Sequence, residues 1–220
     1  MCLEDLADTE AEIALDMVLL LSAEQTGGLD EQDDGHDHEN DHVGRFGVEH
    51  PCQPFDDAQA EAGQPLFGIC YGHQLIAHAL GGRVDDNPQG REMGTVCLDL
   101  ANGAGQDPLF DGFPGQVPAQ ATHLQTVVQP PPGARVLAVS GRDNCQAFRW
   151  GEAAWGVQFH PEFSTGMMRG YIHARSEALA NEGTCHASLS KAVRPAPLAR
   201  RVLQRFIHQA HRRGRHEGTR

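Results

Sequence analysis

Apolar positions in this chain are clustered, and the spacing within the clusters changes along it. Residues 66–69, Leu-Phe-Gly-Ile, form a short continuous apolar run of the length of a buried strand. A tight turn follows, and Leu75, Ile76, His78, Ala79 and Leu80 then recur at helical spacing until Gly81-Gly82 supplies a stop. Beyond it, short strands are expected at 95–100, 125–129, 135–140 and 146–150, separated by clusters of Gly, Pro, Asn and Asp. Residues 154–159 read as one more strand, and helices are expected at about 167–180 and 198–211. In the last of these Leu198, Val202, Leu203, Phe206, Ile207 and Ala210 share a face beside Arg200, Arg201 and Arg205, the pattern of an amphipathic helix packed on a core with its arginines outward. The alternation reads as α/β, with a doubly wound sheet whose reactive groups gather at the carboxyl ends of its strands. No internal repeat is apparent.

Upstream the pattern weakens. Residues 1–15 read as one short acidic helix whose few apolar residues are Leu3, Leu6, Ile13 and Leu15, and residues 16–22 as a strand. Residues 29–43 are polar, dense in charge and without apolar periodicity. The expected organisation is a divergent acidic segment at 1–63 with one core strand at 16–22, a domain at 64–210 and a basic tail at 211–220.

The formal charge of −13 is unevenly placed. Residues 1–62 hold eighteen acidic side chains against Arg45 alone, and residues 191–220 hold nine basic ones against Glu217 alone. So negative a total speaks against nucleic-acid binding, while the basic end suits an acidic surface, including the chain's own beginning. Six cysteines at irregular spacing, with no C-x-x-C, fit neither a zinc ribbon nor a secreted disulfide framework. The longest apolar run, Met17 to Leu21, falls far short of a membrane span, and no basic region precedes an apolar core at the start. A soluble, cytoplasmic protein of one domain is expected, with no membrane association. His36, Asp37, His38, Glu39, Asp41 and His42 are metal-ligand types, but their surroundings are too polar to offset the entropy of ordering, so no metal and no cofactor are expected.

Two stretches carry candidate chemistry. Gly68 and Gly72 flank Cys70 in the pattern G-x-C-x-G, the thiol version of an elbow in which small neighbours let a nucleophile stand above a sheet. The thiol falls at a helix start, whose unpaired N–H groups and dipole favour the reactive thiolate. Far downstream, His160 leaves the end of a strand, Pro161 forbids further ladder pairing, and Glu162 follows. A histidine and a carboxylate two residues apart at a strand end can converge on one thiol as base and orienting acid.

Gly68-Ile69-Cys70-Tyr71-Gly72-His73-Gln74 together with His160-Pro161-Glu162 resembles the class I glutamine amidotransferases. Gly90-Arg91-Glu92-Met93-Gly94-Thr95 and Ala121-Thr122-His123-Leu124-Gln125 are similar to segments of the group built like the glutaminase half of GMP synthetase. The likeness runs from about Gln64 to about Ala210. It implies a flavodoxin-like, doubly wound, mostly parallel sheet, here lacking the usual first strands. It also implies a triad in which Cys70 attacks the side-chain amide carbon of glutamine, His160 moves protons and Glu162 holds the imidazole. Ammonia leaves, and water cleaves the thioester. By the same resemblance the N–H of Tyr71 meets the oxyanion, Gln74 helps hold the glutamine, and Thr122, His123 and Leu124 meet its amino-acid end.

Before Gln64 the resemblance fails. After the strand at 16–22 the family's glycine-containing loop is expected, but Ala23-Glu24-Gln25-Thr26 intervenes before Gly27-Gly28, leaving the second oxyanion donor open. No phosphate-binding G-x-x-x-x-G-K-[ST] loop occurs, so any ammonia acceptor belongs to a partner synthetase. Three functions stand at this point: an amidotransferase that feeds such a partner, a stand-alone γ-glutamyl peptidase or hydrolase, and a catalytically inactive binding protein.

Overall fold

The computed structural model describes residues 65–217. The acidic helix at 1–15, the strand at 16–22, the loop after it, the segment at 29–43 with its histidines and the boundary at 63 lie outside the described residues.

The chain enters through β1 (Leu66–Ile69), turns at Cys70 and continues as α1 (Tyr71–Ala79). There follow β2 (Arg83–Asp86), β3 (Glu92–Leu100), a 3-10 turn at Ala104–Gln106, β4 (Gln116–His123), β5 (Gln125–Gln129), β6 (Arg135–Val139), β7 (Ala147–Trp150) and β8 (Ala154–Val157). Four helices close the chain: α2 (Thr165–Ala174), α3 (Ser176–Asn181), α4 (His186–Ala192) and α5 (Pro197–Glu217). The main sheet has the order β1-β8-β7-β6-β3-β4, and β2 with β5 makes a second, two-stranded sheet.

The α/β class holds, and the strand directions have a particular distribution. Among the described pairings only β1 with β8 is parallel; β8/β7, β7/β6, β6/β3 and β3/β4 are antiparallel. Consecutive strands joined by short turns pair antiparallel, whereas β1 and β8 are far apart in sequence and can run the same way. Parallel neighbours on the far side of β1 would come from before residue 65.

Helices cover both faces. Phe67, Ile69, Trp155, Val157 and Phe159 point to the side of α5, where Val202 and Phe206 are buried in the same cluster. Phe206 stacks on Phe67 with ring centroids 4.7 Å apart and meets Trp155 edge-on at 6.0 Å. On the opposite face Leu66, Ala154 and Phe148 pack with Ile76 and Ala77 of α1. This two-sided burial explains why β1 reads as a continuous apolar run rather than an alternating one. A third cluster, Met93, Phe163, Met168, Ile172, Leu179 and Val193, binds α2 and α3 to the start of β3.

Several expectations change. The helix expected at 167–180 is two helices, broken at Arg175 (φ −100°, ψ 19°). β3 begins at Glu92 rather than 95, α4 has no expected counterpart, and α5 continues past 210 through the start of the expected basic tail. Not every arginine of α5 points away: Arg205 donates to the carbonyls of Leu109 (3.0 Å) and Asp111 (2.8 Å). No helix among the described residues is long and apolar enough to cross a membrane.

Candidate active site

Cys70 stands between β1 and α1 with φ 50° and ψ −103°. Among the described residues it alone has a positive φ without being glycine. Such a conformation costs roughly 1–3 kcal/mol and persists only where the surroundings impose it. Here the Cys70 N–H donates to Val157 O (2.8 Å), tying the bend to β8, and the Gln74 N–H donates to Cys70 O (3.1 Å), closing the first helical turn. Gly68 lets α1 approach: a Cβ at 68 would lie 2.5 Å from both C and O of Gly72 and 2.6 Å from Cδ1 of Ile76. Tyr71 is the first residue of α1, so its N–H is one of the donors that a helix start leaves without an intrahelical acceptor.

The extended chain after β8 brings the second part. Gly156, Gln158 and His160 alternate toward α1, while Trp155, Val157 and Phe159 enter the core on the other side. The His160 N–H donates to Gln120 O of β4 (2.8 Å), and its ring stacks on Phe163 at 4.1 Å. His160 Nδ1 lies 2.7 Å from Glu162 Oε1. Burial, the largest influence on His160, disfavours its charge, but the Cys70 sulfur and the Glu162 carboxylate outweigh it and push the imidazole up to about 9. Nε2, on the edge away from Glu162, has no hydrogen bond of ordinary geometry among the described residues, although Cys70 is close enough to act on the ring. Cys70, His160 and Glu162, ninety-two residues apart in sequence at the extremes, are thus brought together.

Gln74, on α1, is buried and its Nε2 donates both to Gln125 O and to Gln158 Oε1, each at 3.0 Å. Gln158 in turn directs its Nε2 at Cys70 Sγ, 3.5 Å away. Sequence reasoning does not single out Gln158. A signal is present all the same in the period of two that joins it to His160 on one side of the strand.

His123 ends β4, Leu124 lies half-buried in the break before β5, and Thr122 is half-buried opposite Met93 in the β3/β4 ladder. The His123 ring is turned inward: Nδ1 meets Gln125 O at 2.9 Å and Nε2 meets Glu92 Oε2 at 3.1 Å. Around Glu92 a buried polar group assembles. Ser140 Oγ donates to Glu92 Oε1 (2.7 Å), and Gln146 Nε2 donates to Glu92 Oε2 (2.5 Å) and reaches Asp143 Oδ2 (3.4 Å). Burial raises the pKa of Asp143, with hydrogen bonds opposing. Glu92, His123 and Asp143 are donors of the type that hold a divalent cation, with atoms all within 4.8 Å of one another. The Gln146 amide already bonds to both carboxylates, so the cluster is closed by hydrogen bonds. Nearby, burial pushes His73 down to about 3, so it is a neutral core residue between α1 and β8.

The sequence profile of the family described as glutamine amidotransferase class-I matches residues 46–176. The chain belongs to this family. A glutamine-hydrolyzing GMP synthase from Pyrobaculum aerophilum is 41% identical over 120 residues, 54% of this chain and 23% of that protein. A glutamine-hydrolyzing GMP synthase from Saccharolobus solfataricus, one that is made as separate subunits, has a subunit 42% identical over 101 residues, 44% of this chain and 50% of its own length. The chain therefore spans half or less of the length of these relatives. Among solved structures, a glutamine amidotransferase from Thermotoga maritima superposes with a TM-score of 0.57 at 25% identity, covering 69% of this chain and 66% of that one. A glutamine amido transferase from Methylobacillus flagellatus shares the fold, with a TM-score of 0.57 at 23% identity over 69% and 66% of the two chains. Membership in the family makes the chain kin to enzymes that use glutamine, and the elbow at Cys70 is the place in the fold where such chemistry would begin.

Proposed function

We propose that the protein hydrolyses the side-chain amide of glutamine through a Cys70–His160–Glu162 triad and delivers the ammonia to a partner synthetase in the cytoplasm. The observation that carries this reading is the strained turn at Cys70, held beside an imidazole that is itself held by a carboxylate at 2.7 Å. Membership in the amidotransferase family and the similarity to one separate subunit of a GMP synthase support the substrate and the partner.

Cys70 sulfur attacks the amide carbon, and the oxyanion forms against the Tyr71 N–H; removing one such donor typically costs about 3–4 kcal/mol of barrier. His160, charged up to about pH 9, gives its proton to the departing nitrogen, and ammonia leaves as the thioester forms. Water then adds to the thioester, losing a proton to His160, and the carbon–sulfur bond breaks to release glutamate. Gln74 and the turn at 122–124 frame the substrate. His123 acts from behind, since its ring is buried against Glu92 and Gln125 O.

Purified protein is incubated with glutamine and with a γ-glutamyl dipeptide, alone and with the ATP-pyrophosphatase chain of a GMP synthetase, beside Cys70→Ala. Ammonia from glutamine, lost in Cys70→Ala and raised by the partner, is the expected result. Dipeptide cleavage without a partner would transfer the protein to the γ-glutamyl hydrolases. No thiol-dependent turnover under any condition would leave a binding role.

A further inference from the structure

We propose that Gln158 is a catalytic residue that donates an amide N–H to the Cys70 sulfur, and that a one-way hydrogen-bond chain starting at the Gln125 carbonyl fixes its orientation. The role rests on the reading of Cys70 as nucleophile; the chain's polarity does not.

A glutamine amide can be turned end for end, so its orientation has to follow from its partners. The Gln125 carbonyl is backbone and can only accept. It receives His123 Nδ1 at 2.9 Å and Gln74 at 3.0 Å, so the Gln74 end facing it must be the –NH2. That same –NH2 lies 3.0 Å from the Gln158 amide, which must therefore present its oxygen to Gln74. The only end of Gln158 left for the sulfur is its –NH2, at 3.5 Å. Turning Gln158 over would set nitrogen against nitrogen at one end and oxygen against sulfur at the other. Gln158 is fully buried, and its own N–H donates to Gln146 O at 2.9 Å, so the backbone that carries the amide is anchored as well.

The chemical consequence concerns the charged sulfur. A hydrogen bond to an ionised acceptor is stronger than one to a neutral acceptor. The Gln158 N–H thus stabilises the sulfur as thiolate more than as thioester. It favours the attacking form before acylation, and it assists the last step, where water has added to the thioester carbon, the carbon–sulfur bond breaks and the electron pair returns to sulfur. Gln74 and His123 act through Gln158 and are positioning residues in this respect.

The groups facing Cys70 from the packed elements are Gln158 and His160 on the β8 strand path, with Glu162 behind His160. Three variants of the full chain separate their effects: Gln158→Leu removes the donor, Gln158→Glu puts an acceptor against the sulfur, and Gln74→Leu frees the amide to turn. Each is treated with iodoacetamide across a pH series, and modification of Cys70 is followed by peptide mapping, which needs no glutamine and no partner. At pH 7 the rate is expected to fall roughly fivefold in Gln158→Leu, further in Gln158→Glu and less in Gln74→Leu, with each rate–pH curve displaced to higher pH. Folding is checked by the thermal melt of each variant. A merely structural role would lower the melt and leave the pH curve of the folded fraction where it was, and this result overturns the proposal. So does a curve for Gln158→Glu that coincides with the parent, or a parent Cys70 that never reacts. Displaced curves in a protein that fails to hydrolyse glutamine would uphold the hydrogen bond and reject the amidotransferase reading instead.

Discussion

Replacing Gly68 by alanine tests whether the elbow is held by close approach of two backbones. The new Cβ would lie 2.5 Å from the carbonyl carbon and oxygen of Gly72 and 2.6 Å from Cδ1 of Ile76. Carbon atoms rest at about 3.5–4.0 Å, so the first turn of α1 must retreat by about 1 Å; Ile76 can change rotamer, but the Gly72 backbone cannot. Overpacking of this kind costs roughly 1–3 kcal/mol. The retreat also moves Cys70, which is tied to Val157 on one side and Gln74 on the other, relative to His160. A displacement of about 1 Å at reacting groups can cost on the order of 10²-fold in rate. Urea unfolding followed by the fluorescence of buried Trp155 reads the first effect, and glutamine hydrolysis or mapped alkylation of Cys70 reads the second. Gly105→Ala is the control, because a Cβ there meets nothing within 4 Å and its φ is not left-handed. A Gly68→Ala protein with the parent's unfolding midpoint and the parent's rate would refute the account of the elbow.

Cys70→Gly is expected to be more stable than Cys70→Ala by about 1 kcal/mol or more in urea melts, since only glycine adopts φ 50° and ψ −103° without strain. Gly170→Ala, at an exposed site within α2 with nothing near the new methyl, should raise stability by about 0.5–1 kcal/mol in the same assay. His160 carries a pKa raised to about 9 from 6.5, so the stability it contributes is complete below about pH 6.5 and lost as pH rises through about 9; turnover should fall over the same alkaline window, and Glu162→Gln should bring that limb to lower pH. His73 has the opposite sign: its pKa is lowered to about 3, so stability should decline as pH falls below 6.5, by about 1.4 kcal/mol per unit from this group until about pH 3, and a urea titration of His73→Leu should be flatter there.

The parts of the fold that are legible in the sequence are those whose burial is simple. β1 and α1 announce themselves because β1 is covered on both faces and α1 on one, and α5 because Val202 and Phe206 repeat a turn apart against the sheet. β4 escapes such a reading because it holds Pro118 and small alanines; the proline is tolerated in the last strand of the sheet, where a missing N–H faces no neighbour. β2 escapes because its residues Arg83, Asp85 and Asp86 are exposed and it is a strand only by pairing with β5. The site divides the same way. Cys70, His160 and Glu162 can be chosen by local pattern, since each sits at a bend or strand end marked by glycine or proline. Gln158 cannot, because an amide inside an apolar strand acquires meaning only when Gln74, fifty-one residues before Gln125 and eighty-four before Gln158 by chain distance, is folded against it. His123 shows the reverse: its position is evident, but its inward orientation depends on Glu92, thirty-one residues away.

The pleat at the end of β8 works as a parity rule for the whole protein. Ile69 lies beside Val157, and from there even-numbered side chains go to the thiol while odd-numbered ones go to the oil beneath α5. Loss of a single residue between Val157 and His160 would hand the sulfur a phenyl ring and sink the imidazole among Phe67, Trp155 and Phe206. Loss of two would keep the sidedness and only shorten the reach. Grafts, insertions and natural length changes in this stretch are therefore tolerable in pairs or not at all.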